Sequence, residues 1–220
     1  GFNEFEWNLR YPGPIHVADD LIPENGELRR FSGQSSMSLE GPYVEPGDYV
    51  IELNTEEKII SAKCKIIPGV YAKNENGELN KQTKFLLTVR DKLSEVNSTI
   101  NSIRKLKSEL RKNKIIESDE KNFMFNELDD IDRKLASTAE IEEEQSTVDQ
   151  NSQGKRFGRV TDGAFFADSY NARLNGLIDT AGNTESIHTK QCELVFEDLN
   201  IKTDKLIKKF KSISDNYHKS

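Results

Sequence analysis

Phe85–Lys112 reads FLLTVRDKLSEVNSTINSIRKLKSELRK, with apolar residues at Val89, Leu93, Val96, Ile100, Ile103, Leu106 and Leu110. Steps of three and four draw one apolar stripe down a helix of about seven turns. Arg90, Asp91, Lys92, Glu95, Arg104, Lys105, Lys107 and Glu109 fall between those positions and read as a solvated face. A single helix of this kind cannot hide its stripe, so it requires partner helices.

The chain downstream supplies them. Ser118-Asp119 can open a second helix running from Lys121 to about Gln145, with Phe125, Leu128, Ile131, Leu135 and Ala139 inward and Asp132 off that face. A third is expected from about Phe165 to Ala181, burying Phe166, Tyr170, Leu174, Leu177 and Ile178, with Gly182-Asn183 as a left-handed stop. The last, Thr189–Tyr217, carries Cys192, Val195, Phe196, Leu199, Leu206, Phe210, Ile213 and Tyr217, with Thr203 as a polar residue at an inward position. Residues 146–163, STVDQNSQGKRFGRVTDG, have no period and read as a loop long enough to be mobile. The expectation is a linker at 73–78 and an up-down four-helix bundle over 79–220.

Upstream, the pattern changes period. Phe5, Trp7 and Leu9 alternate with Glu6 and Asn8, as in a half-buried strand, until Tyr11-Pro12-Gly13-Pro14 stops it. Ser36–Leu39 is a short strand candidate. Tyr49, Ile51 and Leu53 alternate after the Glu45-Pro46-Gly47-Asp48 turn, and Ile59–Ile67 follows a polar hairpin connection. About four strands over residues 1–72 suggest a small antiparallel sandwich, one in which a strand ahead of Gly1 is missing. The fold class is therefore α+β. Gly1 in place of Met points to a fragment or processed product.

Composition narrows the function classes. A formal charge of −7 argues against nucleic acid, whose phosphates need a basic face. No apolar run reaches the ~20 residues of a membrane helix. Cys64 lies in a strand pattern and Cys192 opens a helical stripe, so both read as buried thiols. His16, His188 and His218 sit in a loop, a helix–helix turn and the tail; His188 is four residues before Cys192, too few ligands for zinc. Glu185-Ser186-Ile187-His188 has di-iron spacing in a single copy. Asp149-x-Asn151-x-Gln153-Gly154 opens like a calcium loop but carries Val160 at position twelve. No cofactor is called for, and no catalytic constellation emerges. Weak binding candidates are Lys155, Arg156 and Arg159 around Phe157, for anions, and the aromatic residues Tyr11 and Tyr43 with Trp7, for carbohydrate. Asn97-Ser98-Thr99 matches a glycosylation acceptor inside the first helix, where chance occurrence is the simpler account.

Two stretches carry a resemblance. Phe5-Glu6-Trp7-Asn8-Leu9-Arg10-Tyr11-Pro12-Gly13-Pro14 with Gly41-Pro42-Tyr43-Val44-Glu45-Pro46-Gly47-Asp48-Tyr49-Val50-Ile51-Glu52-Leu53 resembles an immunoglobulin-like module akin to that of flagellar hook-capping proteins, with Asn8 where an aspartate is usual. Val89-Arg90-Asp91-Lys92-Leu93-Ser94-Glu95-Val96-Asn97, with Ile103-Arg104 and Leu110, resembles the helix that follows it. Together they are similar to the C-terminal region of large bacterial sortilin-like β-propeller proteins, often labelled glycosyl-hydrolase-like with Asp-box repeats. The resemblance implies a propeller upstream, export to the envelope or beyond, and no catalytic residue within this chain. It implies a structural or protein-interaction role whose partner is that propeller or another protein. A glycoside hydrolase with its active site in the propeller, or a carbohydrate-binding module, are the alternatives.

Overall fold

In the computed structural model, residues 4–17, 40–55, 58–69, 77–112, 118–136, 169–182 and 187–218 are described. The stripe Val89–Leu110 lies on helix α1, Glu78–Lys112, whose 35 residues extend about 52 Å. The helix begins after Gly77, which has φ +70°, a conformation open to glycine. Val89, Leu93, Val96, Ile100, Ile103 and Leu110 are fully shielded from solvent. Each such side chain contributes about 1.5–3 kcal/mol of transfer free energy, which makes α1 the axis of the core.

Among the described residues three further helices pack with α1: α2 (Ser118–Leu135), α3 (Tyr170–Gly182) and α4 (Lys190–Tyr217). Lys121 on α2 reaches the Arg111 carbonyl, while Lys107 meets Asp129 and Arg104 meets Asp132, so α2 runs antiparallel to α1. At the other end of α1, Gln82 donates to the Ala181 carbonyl of α3, and Leu86 lies against Gly182. Thus α2 covers the C-terminal part of α1 and α3 the N-terminal part, both descending. Their 18 and 13 residues together nearly match the length of α1. Helix α4 starts beside Phe85 through His188 and Phe196, then meets Lys92 through Asp204, so it ascends parallel to α1. The expected up-down-up-down alternation is replaced by up, down, down, up: two continuous columns and one built from two helices.

Two inward positions differ from the sequence expectation, and one physical reason covers both. Lys92, read as solvated, is buried and bonds Glu95 at 2.7 Å and Asp204 at 2.5 Å. Asp132, read as off-face, is buried against Arg104 and Lys107. Each stands next to a core position, Lys92 before Leu93 and Asp132 after Ile131, on a flank of the stripe that a neighbouring helix covers, α4 for Lys92 and α1 for Asp132. The inward Thr203 is fully buried and donates its hydroxyl to the Leu199 carbonyl at 2.9 Å, which removes the cost of an unpaired group. Thr189 caps α4, accepting from the Cys192 amide. Helix α2 begins at Ser118, ahead of the expected Lys121, and its stretch beyond 136, the Phe165–Phe166 start of α3, Asn183, and residues 146–163 lie outside the described residues.

The β-region departs further. Strands β1 (Gly47–Asn54) and β2 (Ile59–Ile66) pair antiparallel from Gly47↔Ile66 to Asn54↔Ile59, and they form the one sheet among the described residues. Phe5–Leu9 is not a strand of that sheet: Phe5 is 88 % exposed, and β-pairing here is limited, among the described residues, to an isolated bridge at Arg10↔Tyr43. The reason lies at Leu9, whose φ of 57° turns the chain out of the extended region. Ser36–Leu39 lies outside the described residues. The protein is α+β, with a two-stranded sheet and four helices among the described residues.

Candidate functional site

Residues 8–12 and 40–45 close into a clasp. The Tyr11 amide donates to the Pro42 carbonyl and the Val44 amide to the Leu9 carbonyl, both at 2.9 Å. Asn8 Oδ1 accepts from the Arg10 amide at 3.1 Å, which holds the left-handed turn at Leu9; an aspartate carboxylate serves the same purpose. Gly41 is required by close approach. A Cβ there would stand 1.9 Å from the Tyr11 carbonyl oxygen and 2.5 Å from that of Pro12.

Arg10 organises the clasp. Its guanidinium donates to the Gly41 carbonyl at 2.9 Å, pairs with Glu40 at 2.9 Å and lies 3.6 Å from the centroid of the Tyr43 ring. One face of Tyr43 is therefore backed by a cation, while 58 % of the residue remains exposed. Tyr11 donates its hydroxyl to Glu45 at 2.8 Å, and that hydrogen bond, followed by burial, pushes its pKa up to about 12. Trp7 meets the edge of Tyr49 with centroids 5.9 Å apart and donates its indole N–H to the Arg10 carbonyl. Burial raises the pKa of Tyr49, whose hydroxyl donates to the Glu45 carbonyl at 2.7 Å. Tyr11, Tyr43 and Trp7 are thus brought into one cluster. Lys155, Arg156 and Arg159 lie outside the described residues.

From the clasp, residues 12–17 run as a strap along α1. Arg90 donates to the Pro12 carbonyl at 2.8 Å, the Ile15 amide donates to Ser94 Oγ at 3.1 Å, Asn97 donates to the Ile15 carbonyl at 2.7 Å, and Asn101 donates to the His16 carbonyl at 3.0 Å. Pro14 and Val17 are the buried strap residues, Val17 within the bundle core. The geometry follows from two rises. Four residues of extended chain from Pro12 to His16 cover about 13 Å, and the 11 helical residues from Arg90 to Asn101 about 16 Å, so the rungs stay in step.

Sequence reasoning missed this ladder, although its signal is present. Arg90, Ser94, Asn97 and Asn101 each follow a core residue, Val89, Leu93, Val96 or Ile100, by one position. They form a second stripe about 100° around the helix. Asn97, the middle rung, is completely buried, which puts its glycosylation pattern out of an enzyme's reach.

The hairpin has two unlike faces. Tyr49, Ile51 and Leu53 share a side with Cys64, Ala62 and Ile60, a face without charge, while Asp48, Glu52, Lys63 and Lys65 project opposite. The N-terminal segment covers this apolar face only at Tyr49; Ile51, Leu53 and Ile60 are 53, 59 and 47 % exposed. Both cysteines are free thiols, Cys192 buried and Cys64 half-buried. Among the described residues no group of three or more metal-ligating side chains occurs, and no helix is long and apolar enough to cross a membrane. Searches of family models, curated proteins and solved structures return no match to this chain.

Proposed function

We propose that the chain is a non-catalytic structural and protein-interaction region, the C-terminal part of a larger exported protein of the sortilin-like β-propeller kind. The observation that carries this reading is the uncharged hairpin face left open at Ile51, Leu53 and Ile60 beside a fully packed bundle. An exposed apolar face of this kind marks a contact surface. The clasp adds support, because residues that carry the sequence resemblance, Leu9, Tyr11, Pro42 and Val44, make its main-chain bonds, and Arg10 bonds the Gly41 carbonyl. On this reading the immunoglobulin-like module is completed by strands beyond the hairpin.

The test is the intact mass of the polypeptide in its native cell, followed by amide exchange at the hairpin. A mass several times 25.1 kDa, with β1 and β2 amides protected in the long chain and unprotected in this segment, is expected. A native mass of 25.1 kDa would overturn the appendage reading. Tyr43, held rigid by Arg10 with its ring largely exposed, favours carbohydrate binding as a second reading. Titrating oligosaccharides while following Trp7 fluorescence tests it, and a flat response would discard it.

A further inference from the structure

The flank of α1 that holds the strap has the chemistry of a peptide site. Its four hydrogen bonds to the strap go to main chain: the carbonyls of Pro12, Ile15 and His16 and the amide of Ile15. Two strap side chains, Pro14 and Val17, are buried, Val17 within the hydrophobic core, while Ile15 and His16 face solvent. Three of the four bonds are exposed to water, whereas the bundle beneath them is closed. Opening the strap therefore costs less than opening the helices. A site that reads backbone plus one apolar anchor accepts any chain with the same extended course. A second copy of this protein always carries one.

We infer that Arg90, Ser94, Asn97 and Asn101 form a peptide-binding site for the segment Pro12–Val17, filled here from within the chain and open to exchange with the same segment of a second copy. The inference stands apart from the appendage reading, because it concerns a face of α1 and not the hairpin. Its ligand class is an extended, proline-containing peptide that ends in a small branched apolar anchor.

Complementary full-length variants test it. Val17→Asp disables the strap and leaves the site intact; Asn97→Ala weakens the site and leaves the strap intact. Neither variant alone should associate, and mixing the two should give a species of twice the mass by sedimentation. A labelled peptide with the sequence of residues 10–17 should bind Val17→Asp at least tenfold more tightly than the wild-type chain, where the internal strap competes, and should dissociate the mixed dimer. Val17→Ala and Ser94→Ala/Asn101→Ala stand in if either first variant loses its helical circular dichroism. No association on mixing, or peptide binding that is equal in the wild-type and strap-disabled chains, would overturn the inference.

Discussion

The bundle and the N-terminal head solve the same problem by different means. In the bundle, side chains do the work: an unbroken apolar stripe on α1 meets three other helices, and its largest residues lose all contact with water. In the head, the backbone does it. A clasp of main-chain bonds, one arginine and a set of aromatic rings holds residues 8–12 to 40–45, while the adjacent sheet keeps most of both faces wet. The bundle's stability is therefore distributed over many similar residues, and the head's is concentrated in a few that have no substitute.

The largest effect should come from the bundle. Leu93→Ala removes a fully buried side chain and is expected to cost about 2–5 kcal/mol, read as a lower midpoint in urea followed by far-ultraviolet circular dichroism. Gly41→Ala separates the two regions. The forced contact with the Tyr11 and Pro12 carbonyls should cost about 1–3 kcal/mol and change Trp7 fluorescence, with helix content intact. A simultaneous loss of helix would show that the head is not a separable unit. Tyr11→Phe removes one hydrogen bond to Glu45 and should cost about 0.5–1.5 kcal/mol, again seen at Trp7.

Titration sharpens the contrast, because the two regions fail at opposite ends of the pH scale. Tyr11 has its pKa raised from 10.0 to about 12. Its contribution is complete below pH 10 and is lost as pH climbs toward 12, so tyrosinate absorbance should show a late-ionising phase, from Tyr11 and Tyr49, that Glu45→Gln brings earlier. Asp129 is held below its ordinary 3.8, chiefly by the hydrogen bond from Lys107. Its contribution is present above pH 3.8 and is lost as acid takes pH down through the lowered value. The α1–α2 contact should therefore loosen in acid, read by circular dichroism as pH is lowered. The smallest effect belongs to Lys134→Ala, which breaks an exposed pair with Asp130 at a cost of about 0.3–0.5 kcal/mol.

Legibility in the sequence follows the same division. A period of 3.6 announces a buried stripe whatever the partners, so α1 was readable almost to its last residue, and α4 as well, though its Thr189 cap was not. Helix direction was not readable, because α2 and α3 can stack end to end or side by side with identical stripes. The head misled for a different reason. Alternation at Phe5, Trp7 and Leu9 matches a strand, yet one left-handed residue at Leu9 takes the chain away from the sheet. Among the candidate residues, aromatic character at Tyr11 and Tyr43 was visible. Their pairing through Glu45 and Arg10 depends on contacts 34 and 33 residues apart, which no local pattern encodes.

The one-residue offset between the two stripes of α1 gives the helix the properties of a ruler with two scales. Inserting a residue between Val96 and Ile100 turns everything beyond it by about 100°. The core positions would then point where the rungs had been, and Asn101 would leave the strap altogether. Length variation in this stretch is thus barred twice over, once by the core and once by the strap. Natural variants should therefore keep the residue count of this helix.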